Sequence, residues 1–479
     1  MMMKKRYLIY ISLLSLSTLL FSCKDNWDVH NDVANVDNTV NLSQKLATEA
    51  NLSVFNGYVK STGYDVVLAN SQNYTVYAPT NTALAGLDPT IVSDQAKLKD
   101  FVANHIALTT YPVSNKPDTI RIKLLNNKYA NLVANKFEEA TIAGTGIFVK
   151  NGVLHSIDQP LVTKANVWDY MLSSNDAPAQ RDFIKNLSIQ VIDSANATII
   201  GYNVNGTPIF APNPPLISRN TYLVNVADLR DESRQFTYFM LEDNAYNTES
   251  ARLSTYYPSI NPNLNANYYL VKDLTVSGLF PLDKLPDTLI STRGVKVPIN
   301  KANITKSYKA SNGIVYVLKA LPFRLKDKVP EFKIQGEAPL GFTSSKTVLY
   351  RTKLDNLGIS YSDIQVYDHR VAEWAIFYTR TNLPVAKYKV YARVIAGNQG
   401  DAQVAAFTQR YFFYNPTTLA YTLFYTHAVT PLTYTETYCG EYTPAQFGNL
   451  QFRLTSANST AVNVNTVALD YLRFEPVLP

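Results

Sequence analysis

YTVYAPTNTAL, Tyr74 to Leu84, decides how the rest of the chain is read. It is an aromatic-rich strand running into a polar segment. FTYFMLEDNAY, Phe236 to Tyr246, has the same outline, with Asn81 in the polar part of one stretch and Asn244 in that of the other. Asn151-Gly152 follows Tyr74 by 77 positions and Asn312-Gly313 follows Phe236 by 76. Between them, in the same order, fall Pro117-Asp118-Thr119 and Pro286-Asp287-Thr288. Three matches in the same order read as two homologous domains in tandem.

These residues carry a family resemblance. YTVYAPTNTAL resembles the first signature of fasciclin-like domains, a strand followed by APTN at a helix start, and NGVLHSIDQPL from Asn151 resembles the second, a turn and a closing strand. ANHI, Ala103 to Ile106, is similar to the short Tyr/His-containing motif of that family. The resemblance covers residues 41–163 as a first domain and 164–328 as a second, degenerate copy. In the copy, Met240-Leu241-Glu242-Asp243 stands where APTN should, and Tyr316 replaces His155. What the resemblance implies is a pair of α+β units, each a compact β-wedge with helices packed along one side.

Within the first copy, Leu52, Phe55 and Val59 recur at helical spacing, as do Leu98, Phe101, Val102 and His105 after Ser93, a good N-cap. His105 thereby shares an apolar helix face, and His155 sits between Leu154 and Ile157 in a strand. Both read as buried, hydrogen-bonded core positions rather than ligands or bases. Each Asn-Gly pair reads as the centre of a two-residue hairpin turn, which needs positive φ at both positions. In the second copy Val167, Tyr170 and Met171 open a helical pattern, and Phe183, Leu187 and Val191 take up apolar spacing again. Pro212, Pro214 and Pro215 mark a loop. The insert from Tyr246 to Asn267, with Tyr256-Tyr257-Pro258 and Asn261-Pro262-Asn263, reads as a long exposed loop, either a contact surface or a decoration.

Lys326 to Pro330 reads as a charged linker, and beyond it the texture changes to short alternating runs. YKVYARVIA puts Tyr388, Val390, Ala392 and Val394 on one face and Lys389, Tyr391 and Arg393 on the other, and LQFRL sends Gln451 and Arg453 outward. Residues 329–479 are therefore expected to form an all-β sandwich. Trp374, the run from Leu383 to Val394 and the final VALDYLRFEPV resemble the strands of galactose-binding-like jelly rolls, the fold of many carbohydrate-binding modules. Sugar binding on such folds uses exposed aromatic platforms. The candidates are Tyr411, Phe412, Phe413 and Tyr414, or Tyr421, Phe424 and Tyr425, with alternation sending about half of each set inward.

Lys4, Lys5 and Arg6 precede an apolar run from Tyr7 to Phe21 that suits an export signal over residues 1–22. Leu20-Phe21-Ser22-Cys23 resembles a bacterial lipobox, with Cys23 as the lipid attachment site. Lys24-Asp25 resembles the signal that sends lipoproteins of the Bacteroidetes type to the outer surface. Residues 23–40 read as a polar tether. Without residues 1–22 the chain keeps 41 basic and 38 acidic side chains, too balanced a charge for nucleic acid. With Cys23 acylated, Cys439 has no disulfide partner. The 33 tyrosines fit either binding faces or simple strand preference.

Little in the sequence points to catalysis or to a cofactor. His30, His105, His155, His369 and His427 lack metal spacing, Cys439 has no metal-site pattern, and no nucleophile elbow or phosphate loop occurs. The expected role is a non-catalytic lipoprotein, anchored in the outer membrane and facing outward, for adhesion or glycan capture. The alternative is an accessory subunit of an outer-membrane glycan importer that binds a surface protein complex rather than polysaccharide.

Overall fold

In the computed structural model, which describes residues 36–113, 118–261 and 263–479, Tyr74–Pro79 is buried along its whole length. It pairs in parallel with Gly152–Ile157, Tyr74 opposite Gly152 and Pro79 opposite Ile157. Continuous burial follows from having a core on each face. On one side Val76, Ala78 and Leu154 meet the helices through Leu42, Phe55 and Phe101. On the other, Tyr77 and Ile157 meet Ile122, Leu132 and Phe137 of the outer strands. The sheet runs, in hydrogen-bonded order, Ile106–Ala107, Tyr74–Pro79, Gly152–Ile157, Ala140–Val149, Lys136–Phe137, Tyr129–Val133 and Thr119–Lys123, with Val36–Asp37 beside Ala140–Val149.

The described chain separates into two compact units. One extends through Asn166 and takes in Arg230–Arg234 and Lys309–Asn312; the other holds the remainder, including both the second sheet and the C-terminal sheets. The expected export signal, Cys23, Lys24, Asp25 and His30 lie outside the described residues, as do Pro117 and Pro262. The end of the expected tether is already folded: Val36 and Asp37 pair with Phe148 and Val149. The helix Gln95–Ala103 is capped by Asp94, whose carboxylate accepts from the Ala96 and Lys97 N–H groups, rather than by Ser93, which ends the preceding helix.

The Asn-Gly reading needs correcting. Val149 pairs with Gly152, so the two-residue turn is Lys150-Asn151 and the glycine opens the strand. Asn151 is the pin: its Oδ1 accepts from the Leu42 N–H at 2.8 Å, and its Nδ2 donates to the Leu68 and Asn70 carbonyls at 2.8 and 2.7 Å. Gly152 is required because a Cβ there would fall inside the contact radius of the Tyr74 carbonyl oxygen, at a φ of +145° that side chains avoid.

The second sheet, in order Thr275–Ser277, Phe236–Leu241, Gly313–Leu318 and Ile304–Ala310, repeats this register, Phe236 opposite Gly313 and Phe239 opposite Tyr316. A Cβ on Gly313 would strike the Phe236 carbonyl oxygen, although its φ is not in the left-handed range. The register puts Asp243, not Asn244, at the place of Asn81. The expected helical run through Phe183, Leu187 and Val191 breaks: the helix Pro178–Lys185 ends before Leu187, and Val191 lies in the strand Ser188–Ile192.

Two stretches read as solvated are packed. Most of the insert is helical, Asp243–Ser254 and Leu264–Val271, with Tyr246, Ser250, Leu253 and Tyr257 buried at helical intervals. Polar Glu249 and Ser250 break that stripe in sequence, although both are buried here. Tyr257 and Tyr269 stack 4.2 Å apart, and both rings meet Phe447 of the C-terminal region edge-on at 5.6 and 5.3 Å. The charged linker likewise holds a buried anchor. Lys328 Nζ pairs with Asp273 at 2.5 Å, donates to the Tyr269 carbonyl at 2.7 Å and lies 3.8 Å over the Phe323 ring.

Beyond it, three sheets close on one core. Four strands, Phe332–Gln335, Tyr471–Val477, Lys387–Arg393 and Thr437–Tyr442, form the first sheet. Five form the second: Gly341–Phe342, Ala375–Leu383, Gly448–Ser456, Phe407–Asn415 and Ala420–Val429. Leu349–Leu354, Ser360–Val366 and Val467–Leu469 form the third. Alternation holds as expected: Tyr388, Val390, Ala392 and Val394 are buried, as are Leu450, Phe452 and Leu454 between outward Gln451 and Arg453. Trp374 is fully buried, its indole N–H donating to the Ser344 carbonyl at 3.0 Å.

Candidate functional site

The outward face of the five-stranded sheet is built by the same alternation. Along Phe407–Asn415, Phe407, Gln409, Tyr411 and Phe413 turn into the core, leaving Arg410, Phe412 and Tyr414 outside. Phe377 and Phe412 each stand opposite Arg453 on neighbouring strands, which brings the three outward positions side by side. It lies 4.5 Å from the Phe412 ring centre and 4.9 Å from that of Tyr421. Tyr414 meets Tyr421 edge-on at 5.4 Å, and the Tyr421 hydroxyl donates weakly to Gln451 Oε1 at 3.4 Å. Burial raises the Tyr421 phenol above its usual range, against the pull of Arg453, so the hydroxyl keeps its proton at neutral pH. The Arg453 Nε is screened from solvent and has no hydrogen-bond acceptor. Beside the patch, Tyr414, Asn415, Leu423, Phe424, Tyr442 and Thr443 line a groove of about 210 Å³. That is smaller than the roughly 300–1,000 Å³ of enclosed small-molecule sites.

The four tyrosines singled out from the sequence divide evenly. Tyr414 and Tyr421 belong to the outward patch. Tyr411 does not: it is fully buried, accepting from Gln409 Nε2 at 2.8 Å and sharing a 2.6 Å bond with His427 Nδ1. Tyr425 packs against the core with its ring 6.1 Å from that of Tyr411. The cause is a bulge. Tyr411 pairs with Tyr425 but Phe412 with Leu423, so Phe424 is an extra residue and parity reverses along the strand Ala420–Val429. Phe413 and Phe424 contact each other at 4.9 Å on the inner side. Phe377 and Arg453 were not expected here, because only the strand order brings their outward positions beside Phe412.

His105 and His155 are structural. His105 Nδ1 donates to the Phe101 carbonyl at 2.8 Å and Nε2 accepts from the Leu161 N–H at 3.0 Å; burial pushes the imidazole down to about 4. His155 is buried with Nε2 against the Tyr111 carbonyl at 3.0 Å, and burial lowers it too. Burial pushes the Cys439 thiol up to about 12, which keeps it protonated and unreactive. Among the described residues no group of three or more His, Cys, Asp or Glu could hold a metal ion, and no helix is long and apolar enough to cross a membrane.

Residues 50–163 match the Fasciclin domain family. Among solved structures, the chain is similar to a FAS1 domain pair from the insect cell adhesion molecule fasciclin I. That match has 18% identity, covers 58% of this chain and 99% of that one, and has a TM-score of 0.24. It is also similar to a carbohydrate-binding domain of a multidomain xylanase from the hindgut metagenome of Trinervitermes trinervoides (12% identity, 31% and 99% coverage, TM-score 0.21). A third is a carbohydrate-binding module of Cellvibrio mixtus lichenase 5A in complex with cellotriose (18% identity, 31% and 98% coverage, TM-score 0.21). At such scores these overlaps carry no weight for fold or ligand. No curated protein matches the chain.

Proposed function

We propose that this chain is a non-catalytic glycan-capture protein of the cell surface, and that the patch of Phe377, Phe412, Tyr414, Tyr421, Gln451 and Arg453 is where glycan binds. The observation that carries this is the Arg453 guanidinium lying over both the Phe412 and the Tyr421 rings on an outward sheet face. Aromatic faces accept the C–H side of a sugar ring, while the guanidinium and the Gln451 amide bond its hydroxyls. The guanidinium and the amide supply hydrogen-bond donors and an acceptor, so the chemistry offered is binding. An open face with a shallow groove suits a stretch of polymer rather than an enclosed small molecule.

In this reading the second sheet is a degenerate fasciclin-like copy, which its repeated register supports, and the C-terminal sheets form a jelly-roll sandwich. Cys23 carries the lipid that holds the chain at the outer membrane, facing outward. Cys23→Ala should then release the protein to the soluble fraction, and a variant still retained by the membrane would refute the anchor. The binding claim is tested by a glycan array with the full chain. Retention of at least one polysaccharide without its cleavage is expected. No retention of any glycan, together with co-purification of a membrane protein, would favour the accessory-subunit reading instead.

A further inference from the structure

Residues 188–220 form an arm that joins no larger sheet. Ser188–Ile192 pairs antiparallel with Leu216–Asn220, and further out Ile199–Tyr202 pairs with Pro208–Phe210. The Asp193 N–H donates to the Pro215 carbonyl at 2.8 Å and the Ala211 N–H to the Thr198 carbonyl at 2.9 Å, so the two ribbons are continuous. At the tip Asn203 Oδ1 accepts from the Asn205 and Thr207 N–H groups at 3.0 and 2.9 Å. A well-formed hairpin of this length, standing alone, is marginal in water.

Its side chains are the wrong kind for solvent. Ile200, Tyr202 and Val204 are 62%, 65% and 101% exposed. Nearer the root Ile192 and Leu216 share one face, and Ile189, Val191 and Ile217 the other. Spread over both faces of the arm, the exposed aliphatic and aromatic groups present on the order of 1,000 Å².

A lipid surface is a poor match. The arm has only two charged residues, Asp193 and Arg219, and so no basic cluster for anionic headgroups. Hydrocarbon would also leave the outward backbone groups of both edges unsatisfied, whereas an added strand satisfies them. One edge is complementary to itself. If Ser188–Ile192 pairs antiparallel with the same strand of a second copy about a two-fold axis at Gln190, Ile189 faces Val191 twice. Both lie on the face that already carries Ile217, so six aliphatic side chains from the two copies become neighbours. The arms, each with one positive and one negative charge, do not repel. The other edge lacks this match, since centring it on Ser218 sets Arg219 against Ile217.

We propose that two copies of this chain associate through the arm, the Ser188–Ile192 edges pairing antiparallel into a four-stranded sheet. Sedimentation of the full chain should give a species of about twice 53.6 kDa that dissociates on dilution. Ile189→Lys with Val191→Lys should weaken association at least tenfold while leaving the unfolding midpoint in place, because both side chains are replaced on an exposed face. Gln190→Cys should form an intermolecular disulfide on oxidation, since the two-fold axis puts the two residues directly opposite each other; Ser218→Cys should not. A monomer at every concentration would overturn the proposal and leave the arm to a different protein or a lipid surface. A dimer that survives the double lysine variant, or one cross-linked through Ser218→Cys instead, would overturn it as well.

Discussion

Tyr74–Pro79 with Gly152–Ile157, and Phe236–Leu241 with Gly313–Leu318, are the same strand pair built twice with different locks. The glycine is kept in both, because in both a Cβ would collide with the carbonyl oxygen of the facing strand's first residue. Asn81 becomes Asp243, and each side-chain oxygen accepts an N–H in the first turn of a neighbouring helix, from Val54 at 3.0 Å and Ala179 at 2.9 Å. His155 becomes Tyr316, whose hydroxyl donates to the Phe280 carbonyl at 2.8 Å much as His155 meets Tyr111. The His105 carbonyl accepts from the Tyr77 N–H at 2.9 Å; in the second sheet the Leu274 carbonyl accepts from Phe239 at 3.0 Å. Backbone approach is thus fixed tightly and side-chain chemistry loosely. The second sheet has neither histidine, and beside it Tyr257 and Tyr269 pack on Phe447 of the C-terminal region.

That last difference is open to the largest test. Lys328→Ala should cost about 3–5 kcal/mol, because it leaves the Asp273 carboxylate buried without its partner. Chemical denaturation of the full chain would measure it, and a change under about 0.5 kcal/mol, typical of solvated positions, would restore the linker reading.

Gly152→Val should cost about 3–4 kcal/mol through collision and positive φ together, and Gly313→Val about 2 kcal/mol through collision alone. Hydrogen exchange resolved by peptide should confine the first effect to the first unit. The second should spread into the C-terminal sheets through Tyr257, Tyr269 and Phe447. Equal costs, or a silent Gly313→Val, would break the comparison.

Much of this was legible in the sequence where one physical rule acts alone. The alternation of Tyr388 to Val394 and the burial of His105 follow from local spacing, whereas Asn151-Gly152 was read as a hairpin centre and proves to be a pin and a strand start. The misreadings have identifiable causes. Lys328 looked like a solvated charge because its partner Asp273 lies 55 positions away. The helix after Asp243 was hidden by buried Glu249 and Ser250. Alternation already sets Tyr411 and Tyr414 on opposite faces, although only the sheet packing says which face is inside, and Tyr425 could not be told from Tyr421 without knowing where the bulge falls. The patch around Arg453 needs the order of four strands, which alternation does not supply.

The smallest expected effect concerns acid. His105 is held down to about 4, so as pH falls below 6.5 the unfolded chain takes up the proton first. The stability it contributes is fully present above about pH 6.5 and falls away toward pH 4. The second sheet has Leu274 and Tyr316 at the matching places, so no histidine contributes such a dependence at either position. Exchange protection of Gly152–Ile157 should therefore fall faster than that of Gly313–Leu318 over this range. His105→Leu should remove most of the difference, and equal acid sensitivity in the unaltered chain would contradict the account.

The most direct test of the central claim sets the two classes of tyrosine against each other on whichever polysaccharide the full chain retains. Affinity electrophoresis of Tyr421→Ala and Tyr411→Phe, with thermal unfolding alongside, separates outward from inward. The account predicts that Tyr421→Ala loses retention at least tenfold with its unfolding midpoint nearly unchanged. Tyr411→Phe should keep retention and unfold at a lower temperature, having lost the buried bond to His427. If Tyr421→Ala binds as well as the unaltered chain, the sheet face around Arg453 is not the glycan site.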